Sequence, residues 1–183
     1  MMLFVVPLAS MGQSKIKPKD SVDIKNQIEG FYSWYVDMIK EKRLNKDFNP
    51  SFVRLDNGMT TLDFKNYKGG LRRYKFSDDF IERKVNDYKP CVDNLRTVPY
   101  DSFVKFELDE HEQLKCDFSN THEWTGGMEP VDKADLSNLE LVDKKTIIGH
   151  VDFTSYSQPD GKAIVSFKKI KGEWRVDNLI LGR

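Results

Sequence analysis

Few of the residues that build disulfide scaffolds and metal centres occur in this sequence. Its 183 residues include only two cysteines and three histidines. Two cysteines are too few for a disulfide scaffold, although Cys91 and Cys116 can form one bridge. The sequence does not decide between that bridge and two separate buried thiols, so both interpretations stay open.

The sequence also lacks an excess of either charge and any long apolar run. The chain has 29 Lys and Arg residues and 29 Asp and Glu residues, which gives a formal net charge of +0. Domains that bind nucleic acid usually carry a basic excess, so this balance argues against that class. A membrane-spanning helix needs about 20 consecutive apolar residues, and the apolar runs of this sequence are far shorter. We predict neither a nucleic-acid partner nor a membrane span.

The sequence does contain enough apolar material for a core. Hydrophobic residues make up 39% of the chain and aromatic residues 12%, which is typical of a folded domain rather than of a disordered segment. The length fits one domain with terminal extensions.

The N-terminal residues have the pattern of a secretory signal. A short apolar run over residues 3–9 is followed by the small residues Ser10 and Gly12, at the positions favoured for cleavage before Gln13. No basic residue precedes the run. A lipoprotein signal needs a cysteine near Gly12, and the sequence has none there. We expect a periplasmic or secreted protein; the alternative is an ordinary apolar N-terminus in a cytoplasmic chain.

The expected organisation has three parts. We interpret residues 1–13 as a leader, residues 14–21 as a polar linker and residues 22–183 as a single α+β domain.

The strongest helical pattern covers residues 23–42. Its apolar residues recur at three- and four-residue intervals, which places them on one face of a helix. They are Ile24, Ile28, Phe31, Tyr35 and Met38 or Ile39. An aromatic stripe of this kind is usually part of a core, although Tyr35 is also a candidate for lining a ligand pocket. We expect Asp20 or Ser21 to cap the helix.

The middle of the chain gives weaker signals. Asn57-Gly58 between two apolar-bearing runs predicts a β-hairpin, with an extended insertion as the alternative. The basic residues within 65–75 surround two glycines. Because the residue order of a P-loop is missing, we interpret them as a solvated basic loop rather than a phosphate site. Ser77 is expected to cap a second helix that ends at Pro90.

Residues 107–130 form a long polar connection that begins with several carboxylates. Connections of this length in compact domains are usually functional or mobile. Trp124 precedes two glycines there, so its burial is less certain than that of the other aromatic residues. Our candidates for binding a partner are Trp124, its neighbours His122 and Glu123, and Tyr35 from the first helix.

The same region contains an irregular set of possible metal ligands. His111, Cys116 and His122 follow each other at spacings unlike the close ligand pairs of structural zinc sites. We therefore predict no metal site, and we also predict no cofactor.

The last third of the chain, residues 137–181, is typical of a meander of three antiparallel strands. Apolar and polar residues alternate in it, and turns are expected at residues 157–161 and at Lys171-Gly172. His150 and Asp152 are two positions apart, so they share one face of a strand. They are weak candidates for general acid–base catalysis, provided that this face lines a pocket.

Two segments resemble a known family. The aromatic run Phe-Tyr-Ser-Trp-Tyr at residues 31–35 and the pattern Gly-x-Trp-x-Val-Asp at residues 172–177 are similar to the nuclear-transport-factor-2-like superfamily. More narrowly, they resemble an uncharacterised bacterial branch of it that is often exported and is common in Bacteroidetes. The resemblance implies a cone, in which a bent sheet wraps over a long helix and leaves a pocket at its open end. Members include isomerases, dehydratases, transport adaptors and immunity proteins, so the resemblance does not imply one function.

These observations give one expected fold and two functional hypotheses. The fold is α+β, with the N-terminal helix packed on an antiparallel sheet whose strands all lie toward the C-terminus. The first hypothesis is a non-enzymatic exported module, monomer or homodimer. It binds a protein or small ligand through the cone mouth and residues 107–130, as an immunity protein binds a toxin. The second is a cone-pocket enzyme of isomerase or hydrolase type that uses His150 and Asp152.

Overall fold

The computed structural model describes residues 15–41, 49–116, 123–126 and 130–182, and these form a mixed α+β fold. The described helices are α1 (Pro18–Lys40), α2 (Lys65–Arg73), α3 (Asp78–Asp87), α4 (Lys89–Leu95), α5 (Tyr100–Phe103) and α6 (Leu108–Gln113). The strands are β1 (Ser51–Arg54), β2 (Thr60–Asp63), β3 (Lys133–Asp143), β4 (Thr146–Ser155), β5 (Gln158–Ile170) and β6 (Glu173–Gly182). None of these described helices combines the length and the apolar character needed to cross a bilayer. The predicted leader, residues 1–13, lies outside the described residues.

The first helix begins earlier than the sequence predicts. α1 starts at Pro18 with Lys17 as its N-cap, so the cap predicted at Asp20 or Ser21 is wrong and residues 18–21 of the expected linker are helical. Proline suits the start of a helix because its fixed φ is helical and it has no N–H that needs an acceptor. Asp20 lies in the first turn, where a carboxylate interacts favourably with the helix dipole.

The main sheet has four antiparallel strands in the order β3-β4-β5-β6, one more than the predicted meander. The additional strand is β3, because the sequence predicts turns only at residues 157–161 and 171–172 and not the turn at residues 144–145 that separates β3 from β4. Residues of β4 alternate between buried and half-buried positions along its whole length, so one face of the sheet carries the core. All strands of this sheet are C-terminal, as predicted.

Irregular pairing bends this sheet. Each of its three strand pairs contains a register shift, for example after Ser137 in β3 and after Phe153 in β4. A bulge bends its strand and increases the local twist. Asn138, at the first shift, has a φ of 51°, a left-handed conformation that Asn adopts more readily than most residues. The resulting curvature is consistent with a cone-like α+β fold.

α1 packs on the core face of this sheet. Phe31 and Tyr35 are completely buried and belong to one hydrophobic core with Val151, Val165 and Val176. Complete burial of a large apolar side chain contributes about 1.5–3 kcal/mol relative to exposure. The predicted packing of the helix on the sheet is confirmed, and with it the α+β fold.

Direct side-chain contacts join α1 to the sheet, among them those of Tyr32 and Glu29. The rings of Tyr32 and Phe153 meet edge to face, with their centroids 5.1 Å apart. The carboxylate of Glu29 accepts a hydrogen bond from the backbone N–H of Leu136 at 3.3 Å. This bond satisfies a donor on the edge strand β3, where an unpaired N–H would otherwise be open to another chain.

A hairpin and a layer of short helices precede the sheet. β1 and β2 pair antiparallel around Asn57-Gly58, which confirms the predicted hairpin. The predicted basic loop is wrong, since residues 65–73 form α2. Tyr67 and Leu71, one turn apart, are completely buried, and their burial outweighs the low helix propensity of Gly69-Gly70.

Ser77 joins this helical layer to the sheet. Its hydroxyl group accepts a hydrogen bond from the Phe80 N–H at 3.0 Å, which confirms the predicted cap of α3. The same hydroxyl group donates to the Asp177 carboxylate at 2.9 Å. The Ser77 N–H also donates to the carbonyl oxygen of Val176 at 2.8 Å. The start of α3 is therefore held on β6.

The two cysteines form a disulfide. Cys91 in α4 is bonded to Cys116, which follows α6, with a sequence separation of 25. Both residues are buried. The cysteines are therefore paired, and the alternative of two separate buried thiols is wrong. Because its sulfur is bonded in the bridge, Cys116 has no thiolate that could bind a zinc ion.

We expect removal of the bridge to lower the free energy of unfolding by about 3–4 kcal/mol, because the bridge restricts the unfolded chain over a loop of this length. The measurement is urea unfolding of the wild type and of the Cys91→Ala/Cys116→Ala variant, each with and without dithiothreitol. The reductant should destabilise the wild type and leave the variant unchanged. A wild type that unfolds at the same urea concentration with and without the reductant would contradict the pairing.

Candidate functional site

A half-buried carboxylate connects residues 123–126 to the helical layer. Glu123 accepts hydrogen bonds from the hydroxyl groups of Tyr67, at 3.0 Å, and Tyr88, at 3.1 Å. Its third partner is the ammonium group of Lys84, at 2.9 Å. The side chains of Lys84 and Glu123 are 23% and 28% exposed. We refer to these four residues as the Glu123 cluster.

Helices α2 and α3 position the donors of this cluster. Tyr67 lies in α2, whereas Lys84 in α3 lies four residues before Tyr88, the C-cap residue of that helix. A spacing of four residues places two side chains on the same face of a helix. The rings of Tyr67 and Tyr88 pack edge to face with their centroids 5.6 Å apart. The two hydroxyl groups are thereby directed at one carboxylate.

Trp124 fills the space between α1 and the helical layer. It is only 1% exposed, and its ring centroid lies 5.2 Å from that of Phe31 and 5.7 Å from that of Phe76. Its carbonyl oxygen accepts a hydrogen bond from the Tyr32 hydroxyl group at 2.9 Å. The Lys84 ammonium group lies 5.2 Å from the indole centroid, a cation–π contact. The aromatic residue whose burial the sequence leaves least certain is therefore a core residue.

Glycine is required two positions after Trp124. Gly126 has a φ of 72°, and a Cβ atom there would lie 3.3 Å from both the Cβ and the Cδ1 atoms of Leu181. A positive φ is strained for residues other than glycine, and the contact with Leu181 leaves little room for a side chain. The chain therefore passes close against β6 at this point.

The structure brings three of the predicted binding residues together. Glu123 is close enough to act electrostatically on Tyr35, whose hydroxyl group lies near the backbone of Trp124. Tyr35 and Trp124 are 0% and 1% exposed, so neither ring reaches the surface, whereas Glu123 is partly exposed. His122 lies outside the described residues. The predicted role of these residues in binding stays a prediction.

Burial shifts the acid–base equilibria of the tyrosines around the cluster. Burial raises the pKa of Tyr67, Tyr88 and Tyr35 above the ordinary value of a tyrosine. The negative charge of Glu123 is the second cause and raises the pKa of each further. These phenols remain protonated at neutral pH and keep their role as hydrogen-bond donors. With three donors on Glu123, the cluster acts as an anchor for residues 123–126.

A second feature lies at the beginning of the 107–130 region. α6 contains no buried residue, and it starts with a capping box in which the side chains of Glu107 and Glu110 each accept a backbone N–H. His111 packs against the ring of Phe103, with centroids 4.8 Å apart, and against Phe52, at 5.8 Å. A short exposed helix is thereby fixed in place.

This helix and the residues before it expose both apolar and acidic side chains. Val104 is 58% exposed and Leu108 is 54% exposed. Asp109 and Glu112 are also exposed. We call these four residues the acidic α6 surface. The composition of residues 107–130 indicates the acidic part, but no sequence signal shows that Val104 and Leu108 stay outside the core.

His150 and Asp152 lie on the face of β4 opposite the core, as their spacing predicts, and both are half-buried. The Asp152 carboxylate accepts a hydrogen bond from the Ser137 hydroxyl group at 2.9 Å and forms an ion pair with Lys162 at 3.4 Å. These partners belong to the strands on either side of β4. Asp152 therefore takes part in a polar network across three strands, and catalysis by the pair stays a prediction.

Two cavities flank α1. The larger, of about 380 Å³, is lined by α1 and residues 73–75. The smaller, of about 270 Å³, lies between α1 and residues 132–135. Neither is lined by His150 or Asp152. Ligand sites usually measure about 300–1,000 Å³, so the larger cavity falls within that range.

In the part of the chain that the structure describes, no three or more His, Cys, Asp and Glu side chains are grouped so as to hold a metal ion. Of the irregular set, Cys116 is bonded to Cys91 and His111 packs among aromatic rings. His122, the third member, lies outside the described residues.

Comparison with known proteins finds no relative. No protein-family model, curated protein or solved structure matches the chain. Its function is therefore inferred from its own residues and surfaces.

We expect Glu123→Ala to lower the free energy of unfolding by about 2–4 kcal/mol, because it removes the acceptor that two buried hydroxyl groups and the Lys84 ammonium group share. The measurement is urea unfolding. The matched control is Glu140→Ala, at an exposed position of β3, which should change stability by less than about 0.5 kcal/mol. Similar values for the two variants would show that the cluster does not anchor residues 123–126.

We expect stability to fall as the pH rises above about 10. Below the pKa of an unfolded tyrosine, both states hold the same protons; above it, the unfolded chain loses protons that buried Tyr67 keeps. Each such tyrosine contributes a loss of about 1.4 kcal/mol per pH unit. Urea unfolding between about pH 10 and 11.5 should give a slope of stability against pH that is shallower by this amount in Tyr67→Phe. Equal slopes in the two proteins would contradict the burial of a neutral phenol.

Proposed function

We propose that this chain is a non-enzymatic, exported binding module that engages a basic protein through the acidic α6 surface. The observation that carries the proposal is the exposure of Leu108 on α6, a helix that contributes no buried residue to the core, together with the exposure of Val104 four positions earlier in the chain. Contiguous exposed apolar side chains rimmed by polar residues are typical of protein interaction sites. Burial against a partner removes these side chains from water.

The charge of this surface favours a basic partner. Residues 104–115 contain four carboxylates, at positions 107, 109, 110 and 112, against two lysines, at positions 105 and 115. Complementary charge speeds association and disfavours acidic competitors, whereas the apolar side chains supply the area that leaves water. An immunity protein that blocks a basic toxin is one version of this function.

The surface is held in place by contacts on its inner side. The Cys91–Cys116 bridge fixes the chain three residues after α6 ends. His111 holds α6 against Phe103 and Phe52. An ordered surface loses less conformational entropy on association, so more of the contact energy contributes to affinity.

The disulfide and the N-terminal pattern support export. Disulfides persist in the periplasm and outside the cell and are rare in the cytosol. The Cys91–Cys116 bridge fits that environment, and the signal-like residues 1–13 point to the same compartment.

The long aromatic helix on a bent antiparallel sheet supports membership of the nuclear-transport-factor-2-like superfamily, which is part of this proposal. That superfamily contains binding proteins and enzymes, so it does not select between the two hypotheses. The geometry favours binding. The enzyme alternative depends on His150 and Asp152, and neither lines the two described cavities.

The test is capture of partners by the immobilised chain from an extracytoplasmic extract of the source organism, followed by elution with salt. We expect the wild type to retain a basic protein that elutes as ionic strength rises, because salt screens the attraction between exposed charges. Leu108→Ala and Asp109→Asn/Glu112→Gln should each weaken retention about tenfold, which corresponds to about 1.4 kcal/mol.

The matched control is Glu140→Gln/Asp160→Asn, which removes two negative charges from exposed positions outside residues 104–115. It should retain the same protein as the wild type, and circular dichroism should show the same fold for all variants. Undiminished retention by the α6 variants, or an acidic partner, would exclude this surface from the function.

A further inference from the structure

The larger cavity beside α1 is built from one helical face and one turn. Asp23, Asn26, Gln27 and Gly30 line it from α1. Their spacing of three, four and seven positions from Asp23 places them on one face of the helix. The opposite wall is the turn at residues 73–75, where α2 ends. We call this cavity the Gly30 groove.

A glycine in the interior of α1 leaves space in this groove. Glycine is less favourable there than alanine because it loses more backbone freedom when the helix forms. A Cβ atom added to Gly30 would meet no atom within 4 Å, so packing does not exclude a larger residue. At Gly30 the chain therefore leaves open space beside α1, at a cost in helix stability.

The opposite wall is a strained turn that several hydrogen bonds hold. Lys75 has a φ of 58°, which is unfavourable for a residue with a Cβ atom. Its carbonyl oxygen accepts from the Gln27 side-chain amide at 3.0 Å and from the Val176 N–H at 3.0 Å. The same Gln27 amide donates to the carbonyl oxygen of Tyr74 at 3.1 Å. The turn is thereby fixed to both α1 and β6.

Two cations of the groove have no ion-pair partner among the described residues. Arg73 and Lys75 form no salt bridge there, although the neighbouring Arg72 is paired with Asp78 at 3.1 Å. Asp23 is the carboxylate that lines the groove. Two unpaired cations against one carboxylate favour an anionic group. A guanidinium group binds the oxygens of a carboxylate or phosphate in bidentate geometry.

We propose that the Gly30 groove binds a small anionic ligand, whose carboxylate or phosphate group lies on Arg73 and Lys75. The volume of about 380 Å³ fits a metabolite-sized molecule. The ring of Tyr74 supplies an apolar wall and is itself packed on Trp34, with centroids 5.1 Å apart. The Asp23 carboxylate on the α1 side accepts hydrogen bonds from donor groups of the ligand. This site goes beyond the proposed protein interaction, because none of its residues belongs to the acidic α6 surface.

The test is an NMR titration of the full chain, labelled with ¹⁵N, with inorganic phosphate and with succinate at constant ionic strength. Chloride is the reference anion. We expect saturable shifts of the backbone amide signals of residues 26–30 and 73–75 with at least one probe and none with chloride. A response to phosphate alone assigns a phosphate group to the ligand, a response to succinate alone assigns a carboxylate, and a response to both assigns a general anion site.

Two matched pairs of variants locate the binding. Arg73→Gln should weaken probe binding at least about tenfold, whereas Arg72→Gln, which removes the neighbouring paired charge, should change it by less than about twofold. Gly30→Leu fills the groove and should weaken binding at least about tenfold. Gly69→Leu is its control, because a Cβ atom at Gly69 also meets no atom within 4 Å and that glycine does not line the groove.

Gly30→Ala tests whether glycine is needed at this position for the space in the groove and not for the stability of α1. It should raise the midpoint of thermal unfolding by about 2–4 °C and weaken probe binding at the same time. The proposal is overturned if neither probe shifts these amide signals saturably. It is also overturned if Arg73→Gln and Gly30→Leu bind both probes as the wild type does.

Discussion

Burial of the aromatic face of α1 is the constraint on which the rest of this fold depends. Phe31 lies at the centre of that face, completely buried, and its ring contacts those of Tyr35, Phe76 and Trp124. Truncation of one such ring costs about 3–5 kcal/mol, a large part of the 5–15 kcal/mol or so that holds a whole domain folded. The sheet, the helical layer and residues 123–126 all bury surface against the same helix, so each depends on it.

The elements that sequence patterns predict are those whose signal lies within one segment. The three- and four-residue spacing of α1, the alternation of β4 and the Ser77 cap of α3 are local patterns, and the structure confirms them. α2 is different. Its four basic residues and two glycines conceal a single buried pair, Tyr67 and Leu71, and only the surrounding fold makes that pair part of the core.

The candidate site likewise has a part that local sequence predicts and a part that depends on contacts between distant residues. Composition marks residues 107–130 as unusual, yet the contacts that define Glu123 and Trp124 extend across the chain. The Tyr32 hydroxyl group and the Trp124 carbonyl group are 92 positions apart in sequence, and Tyr67 and Glu123 are 56 apart. No local pattern encodes such contacts. The exposure of Leu108 is likewise a consequence of where α6 lies once the core has formed.

α1 serves the core and the Gly30 groove with different faces. Ile24, Ile28 and Phe31 are buried, and each follows a groove residue at position 23, 27 or 30, a rotation of about 100° around the helix axis. A change on the groove face therefore leaves the core intact, whereas a change at Trp124 alters the packing of α1 itself. A change on the exposed face of a buried element can alter binding without disturbing the core, whereas a change among the aromatic core residues alters the core itself. The residues that decide what this chain binds are for that reason expected on those exposed faces.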